Sequence, residues 1–427
     1  MKTNQIARFC RGARAGIAAI LVLILLAGCA SVAPAAAAED DSPSEQSVAI
    51  AVAPEPAPAV TLSPVSLADA LSGGDEFAIL FVNVGKGDAA IIRFGEATVL
   101  IDTGSPASAP QLIAGLNALS VTAIDAVFIT HSHSDHLGGL DALAANYEIP
   151  MVYSPLYAEQ DKDGEGKIVK RAEKLGLPHQ ELVAGKRVPI TSDVFFEVLG
   201  PLVLNEVDDN DNSLVLRFSY GGKTFLFAGD MQFSEEQTLI DAGANLKSDV
   251  LKVGNHGNPD ATGDAFAALV SPAFAVISTS TREDANSANA RVFSALPTAE
   301  VFVTQDFAIG ALLTLDETGG ILVSNPARNA APKSVAVQSL DAEHQLVTLV
   351  NNGATPADLS GCILFSARSN ALLRFPEETV LPADASLLVG QNGDLAFPNE
   401  DKPLNKKKKN TVTLYDRLGT ILSELAE

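Results

Sequence analysis

The stretch Thr130-His131-Ser132-His133-Ser134-Asp135-His136 gathers three of the chain's six histidines and a carboxylate into one short loop. The apolar run 124–129 before it reads as a buried strand, and 137–146 after it reads as a helix. In an extended segment residues two apart face the same way, so His131 and His133 can offer imidazole nitrogens to one metal ion. Asp135 and His136 fall where the chain turns into the helix and can face a neighbouring second ion. Neutral imidazole mixed with anionic oxygen suits two close hard-to-borderline cations. A polar loop capped by Asp135 is the alternative, but composition alone does not pack histidines at this density. The chain is organised around this metal-binding turn from strand to helix.

At 427 residues the chain is long enough for two or three domains with real cores, and its aliphatic richness fits a globular α/β class. The N-terminus is different. Lys2, Arg8, Arg11 and Arg14 form a basic region, and the apolar stretch 15–27 is short for a membrane-spanning helix. It ends in Leu26-Ala27-Gly28-Cys29, which resembles the bacterial lipoprotein signal. That resemblance implies cleavage of residues 1–28 and lipidation of Cys29, anchoring the mature protein to the membrane. An ordinary secretory signal and an uncleaved anchor are the alternatives, and all three place the remainder outside the cytoplasm. Loss of 1–28 removes four basic and no acidic residues, moving the formal net charge from −23 to −27. Such a surface repels polyanions unless a metal or a local basic patch offsets it. Cys10 leaves with the signal, Cys29 carries lipid and Cys362 is alone, so no intrachain disulfide is available.

Residues 29–75, rich in Ala, Pro, Ser and acidic groups with no sustained period, read as a spacer. From Phe77 short β-rich runs follow over 77–84, 89–94 and 97–102, separated by glycine turns. Next come a helix over 109–119, the strand leading into the histidine loop, a helix, and a strand over 151–155. The loop carrying Asp161, Asp163 and Glu165 faintly matches calcium-loop spacing, lacks the remaining ligands and reads as solvated. Seven further strands lie between 193 and 316, with helices at 234–242, 264–269 and 290–296. Two runs of strands with helices between them imply stacked sheets covered by helices, an αββα sandwich over 76–326. After a Pro- and Ala-rich break, 334–427 is almost wholly β with frequent turns and reads as a small all-β sandwich.

Four more segments join the histidine loop: Val82-Asn83-Val84-Gly85-Lys86-Gly87-Asp88-Ala89, Leu100-Ile101-Asp102-Thr103-Gly104, Phe227-Ala228-Gly229-Asp230 and Asp249-Val250-Leu251-Lys252-Val253-Gly254-Asn255-His256-Gly257. Together they resemble the metallo-β-lactamase superfamily, in the branch of the soluble ComEC competence domain, over about residues 77–325. The resemblance implies the same αββα sandwich, with metals at one edge between the sheets. It places a first metal on His131 and His133 and a second on Asp135 and His136, with Asp230 bridging and His256 as a further ligand. The alternatives are a helix cap for Asp230 and a polar loop role for His256. Asp102 would orient the metal loop or stabilise its own turn. Where many members have another histidine, this chain has Asn212-Ser213, as that branch does; oxygen atoms or water would complete the first metal's shell, with Asn212 on the substrate side. Asn255-His256 stands where the branch has paired histidines, and a later Gly-His-Pro has no counterpart at 287–291. Lys86 replaces a glutamine and faces substrate or solvent.

The resemblance implies two divalent ions, zinc first and manganese or another divalent metal otherwise, that turn water into a nucleophile near neutral pH. Asp135 would be the catalytic residue, holding that water and accepting its proton. Hydrolysis of a phosphodiester, in nucleic acid or a nucleotide, or of a related ester is the expected reaction. The rival is a membrane-tethered surface binding protein whose altered His256 region has ended turnover. In the tail, Val347-Thr348-Leu349-Val350-Asn351-Asn352-Gly353 and Thr413-Leu414-Tyr415-Asp416 resemble a lamin-tail domain, implying an immunoglobulin-like sandwich that binds a surface partner without catalysis. Cys362 stands where that family has Trp and reads as a small buried thiol. Four lysines at 406–409 read as a solvated turn or a phosphate contact.

Overall fold

Phe77–Val82 shows how this chain builds its sheets. Ile79 and Phe81 point to one apolar layer, Leu80 and Val82 to another, and all six residues of the strand are buried. A strand apolar on both faces needs cover on both. In the computed structural model, which describes residues 58–71, 76–158, 166–328 and 333–427, that cover is a second sheet on one side and helices on the other.

The first sheet has nine strands, in the order Pro64–Val65, Ile321–Pro326, Gly310–Leu315, Phe77–Val82, Ala90–Phe94, Ala97–Ile101, Ala126–Phe128, Val152–Pro155, His179–Leu182. The second has seven: Glu300–Val303, Phe274–Ile277, Val250–Lys252, Lys223–Phe227, Val215–Tyr220, Phe195–Gly200, Arg187–Pro189. Aromatic pairs join them, with Phe81 on Phe227, Phe94 on Phe218 and Phe128 on Phe196 at ring separations of 5.6, 5.3 and 5.0 Å. Leu112 and Leu116 of the helix Ala109–Ala118 cover the outer face of the first sheet. Leu239, Phe266 and Val270 cover the second. The layers are therefore αββα, as the strand and helix pattern predicts.

Ala97–Ile101 runs parallel to Ala126–Phe128, and Lys223–Phe227 parallel to Val250–Lys252. Their carboxyl ends open into the loops that carry Asp102, His131 to His136, Asp230 and His256, the usual place for a site in sheets of this kind.

Several stretches differ from the sequence expectation. Part of the spacer belongs to the fold: the Val60 N–H donates to the Val301 carbonyl at 2.8 Å, and Pro64–Val65 pairs with Asn325 and Pro326. An exposed sheet edge accepts even a proline-containing segment, because Pro needs only one bonding side. The strand before the histidines shortens to Ala126–Phe128, and Asp125 ahead of it accepts the Thr98 N–H at 2.7 Å through its carboxylate. His179–Leu182 and Arg187–Pro189 are edge strands too polar to read as such. The lipoprotein signal, Cys29 and the loop with Asp161, Asp163 and Glu165 lie outside the described residues. Among the described residues no helix is long and apolar enough to cross a membrane.

The C-terminal region is β-rich, with several sheets. Val335–Asp341, Leu346–Asn351 and Ser386–Gly390 form one; Ala371–Arg374, Ile363–Ser366, Thr411–Tyr415 and Ile421–Ala426 form another. Val347, Leu364, Phe375 and Val412 enclose Cys362, whose thiol is pushed up to about 12 by burial. The opposite face packs onto the αββα layers: Ile363, Phe365, Leu372 and Leu418 share the core beneath Ala109–Ala118. Asn117 of that helix donates to the Gly361 and Arg417 carbonyls at 3.0 and 2.9 Å and accepts from Arg374 Nε at 2.8 Å.

Candidate metal centre

Past its strand the histidine loop turns at once, and Ser134–Leu137 forms a single helical turn with His133 at its N-cap. Thr130 ties the loop down: its N–H and hydroxyl donate to the Asp102 carboxylate at 2.7 and 2.8 Å. Asp102 itself sits at φ 60°, a left-handed conformation that Asp tolerates better than most residues. His136 Nδ1 also meets Asp102 Oδ2, at 2.8 Å. His131 Nδ1 lies 3.1 Å from the Thr130 hydroxyl, and His256 Nδ1 donates to the Ser278 carbonyl at 2.9 Å. Each ring is gripped at Nδ1, which turns Nε2 inward.

The inward atoms converge on Asp230. Its Oδ2 stands 3.2 Å from His136 Nε2, 3.2 Å from His256 Nε2 and 3.8 Å from His131 Nε2. His256 Nε2 is 3.4 Å from Asp135 Oδ2. Ligand bonds of about 2.0–2.1 Å in a tetrahedron put neighbouring ligand atoms about 3.3–3.4 Å apart, so His136 and His256 stand at shell spacing from Asp230, and Asp135 at that spacing from His256. His131 and His133, edge-on with ring centroids 4.6 Å apart, stand beside it as donors for a second position. The Nε2 atoms of His131, His136 and His256 are buried and converge on the Asp230 carboxylate without a well-aligned hydrogen bond to it. Fully satisfied proteins do not leave three such atoms aimed at one point; the donor set fits a divalent metal.

Asp88, His136, Asp230 and His256 also form a four-residue group able to hold a metal. Asp88 Oδ2 is ion-paired with Lys252 Nζ, while its Oδ1 is buried without a hydrogen-bond partner. That buried lysine further donates to the Gly229 carbonyl at 3.1 Å and lies 4.0 Å from Asp230 Oδ1. The pair sits behind the imidazoles and steadies the loop that carries Asp230.

Charge follows the same geometry. Burial disfavours a charged His136, but the Asp230 and Asp102 carboxylates outweigh it and hold the ring well above its usual range. His256 is likewise raised, to about 9, against its burial by Asp230 and Asp135. Burial and the neighbouring His136 hold His131 well below. Asp230 and Asp135 stay far below ordinary carboxylates because histidines overcome their burial. Without metal the pocket thus stores positive charge as protons on His136 and His256, where cations would sit.

The structure brings His131, His133, Asp135, His136, Asp230, His256 and Asp102 together. Lys86 joins them, donating to Asp135 Oδ2 at 2.8 Å rather than standing free in solvent. Asp230 caps no helix: Asp211 Oδ1 accepts the Gln232 and Glu235 amides at the start of Phe233–Asp241. Asn212 lines the opening beside His133, but its amide is engaged with the Asn205 backbone at 2.8 and 2.9 Å, so it shapes the wall instead of offering a free donor. Three contributors went unassigned in the sequence reading: Asp88, Lys252, and Asp209, whose carboxylate takes the Ser132 N–H and hydroxyl at 3.1 and 2.7 Å. Lys252 carries a signal, a charge inside an apolar buried run, which demands a buried partner.

The family model of the metallo-beta-lactamase superfamily matches residues 82–281. The chain is 31% identical over 216 residues to ComE operon protein 3 of Bacillus subtilis, covering 46% of this chain and 27% of that protein. It is 32% identical over 206 residues to competence protein ComA of Neisseria gonorrhoeae, covering 48% and 27%. Over 78 residues it is 28% identical to exodeoxyribonuclease YycJ of Bacillus anthracis, covering 18% and 29%. The chain thus spans little more than a quarter of the length of these relatives. With the layered sheets, the strand-end cluster of histidines and carboxylates and these matches agreeing, residues 82–281 are a metallo-beta-lactamase superfamily domain.

Proposed function

We propose that this chain is a metal-dependent hydrolase, with zinc as its first metal, that cuts phosphodiesters outside the cytoplasm. The observation that carries the reading is the ring of buried Nε2 atoms converging on Asp230. Bound divalent ions would supply Lewis acidity and water of lowered pKa. The protein's own residues supply the rest. Asp102, Thr130 and Ser278 fix the imidazoles, so no reorganisation is needed when a ligand arrives. Asp135 stands at the mouth, 16% exposed and held ionised by His256, His136 and Lys86, placed to accept a hydrogen bond from a water and orient it. Lys86, 36% exposed, lies beside it and can meet an anionic phosphate oxygen. The relative named as an exodeoxyribonuclease supports a phosphodiester over other esters. Extracytoplasmic anchoring through lipidated Cys29, and a C-terminal lamin-tail-like immunoglobulin sandwich that binds a surface partner, complete the proposal.

Metal analysis with a bis(p-nitrophenyl) phosphate assay tests it. The wild type is expected to bind divalent metal and turn the ester over, and Asp135→Ala to lose at least about 100-fold in kcat. Metal without Asp135-dependent turnover would make the chain a tethered binding protein.

A further inference from the structure

A cavity of about 690 Å³ opens beside the centre, with His133 in its wall. Leu156, Tyr157 and Ala158 form one side, just past the strand Val152–Pro155, and the loop 204–212 forms the other. That volume suits a small organic ligand. Leu156, Leu204 and Val207, which line the cavity, are 44%, 49% and 95% exposed among the described residues and supply apolar surface.

The polar part of the wall is acidic. It holds Glu206, Asp208 and Asp209, and among the described residues no lysine or arginine lines it. The wall is also fixed in place. Asp208 Oδ1 accepts the Asn210 N–H at 3.0 Å, and Asp209 is tied to Ser132 in the histidine loop. A nucleic-acid strand lying across the centre carries another phosphate next to the one being cut. On this side that phosphate meets carboxylates and aliphatic surface, which penalises it rather than merely failing to attract it. An uncharged planar or aliphatic group meets surface that suits it.

Resting on the phosphodiester reading, we propose that this cavity receives an uncharged aromatic or aliphatic ester group. The substrate class is then a small diester with a single phosphate, not a nucleic-acid strand. The chain's formal charge of −23 acts in the same direction.

The test compares thymidine 5′-monophosphate p-nitrophenyl ester with pentathymidylate on the metal-replete full chain, reading equilibrium binding and kcat/KM separately. The single-phosphate ester is expected to be favoured by about tenfold or more at low salt, the gap narrowing as salt rises. Glu206→Gln with Asp208→Asn, which keeps the acceptor for Asn210, is expected to tighten pentathymidylate binding several-fold. Leu204→Ser is expected to raise KM for the ester without altering metal content. Pentathymidylate bound as tightly as the ester, or indifferent to the Glu206 and Asp208 changes, overturns the assignment. A chain that prefers the ester but cleaves neither substrate refutes the hydrolase reading and upholds the cavity; one that cleaves both without preference does the reverse.

Discussion

Asp102→Asn is the substitution that most directly interrogates how this pocket is set. The Asp102 carboxylate is fully buried and accepts from the Thr130 N–H, the Thr130 hydroxyl and His136 Nδ1, at 2.7, 2.8 and 2.8 Å. Asn keeps the shape and tolerates the left-handed backbone at φ 60°. If its oxygen stays on the Thr130 N–H, its NH2 faces His136 Nδ1, and two donors oppose each other. The neutral ring escapes by moving its proton to Nε2, the atom a metal needs. Losing an orienting partner of this kind costs about 10–100-fold in metal affinity, about 1.4–2.8 kcal/mol. Asp102→Ala is a different experiment. It strands all three donors, at about 1–3 kcal/mol for each that water cannot reach, and so should lower stability by several kcal/mol. Zinc titration against a chromophoric chelator, with urea denaturation of the metal-free chain in parallel, separates the two. An Asn variant with wild-type zinc affinity would refute the claim that Asp102 sets the His136 tautomer.

Other consequences are equally measurable. Histidines raised in the fold stabilise it fully below about pH 6.5 and lose that contribution as pH climbs through their folded value, about 9 for His256. Metal-free stability should therefore fall between pH 6.5 and 9 while zinc affinity rises, with proton release seen by calorimetry in buffers of different ionisation enthalpy. Burial pushes Glu235 and Glu236 up to about 7, which has the same sign: stability present below 4.5 is lost through pH 7. Glu235→Gln, which keeps an acceptor for the Leu202 N–H, should flatten that slope in urea titrations. Lys252→Met leaves Asp88 buried without its partner, at a cost of about 3–5 kcal/mol, and adding Asp88→Leu should recover much of the loss in the urea midpoint. Asn117→Ala removes three hydrogen bonds to the β-rich region and should cost about 2–4 kcal/mol, with faster limited proteolysis within residues 333–427.

The histidine loop is legible in the sequence because its candidate ligands are neighbours in the chain as well as in space. Sheets such as Phe77–Val82 are legible for a similar reason, since alternation within six residues carries the signal. Asp230 and His256 become readable only through the order of motifs, because no local rule links a strand-end aspartate to a histidine on another loop. The Lys252–Asp88 pair is half legible: a lysine inside an apolar run demands a buried partner, but only the fold shows that the partner is Asp88. Edge strands escape differently. His179–Leu182 has only one buried residue, so its pattern is that of a loop, and pairing with Val152–Pro155 decides it. Asn117 is likewise silent, a polar residue in an apolar helix that acquires its meaning from Gly361, Arg374 and Arg417.

That helix also changes what the β-rich region is. Ahead of its first residue, the Thr103 N–H donates to the His136 carbonyl at 2.7 Å, and the Gly139 N–H to the Gly104 carbonyl at 3.0 Å. Gly138 lies so close to Pro106, and Gly139 to the Thr103 carbonyl, that neither position has room for a Cβ. The start of Ala109–Ala118 is therefore fastened, backbone to backbone, to the loop that presents His131 to His136. Its far end is fastened by Asn117 to the β-rich region, and its apolar face is covered by Ile363, Phe365 and Leu372. Ten residues of helix separate a docked tail from the ligand loop, and tightly packed helices shift as units rather than bend. A perturbation of the β-rich region would thus act on a body that shares a core with the helix fastened to the histidine loop.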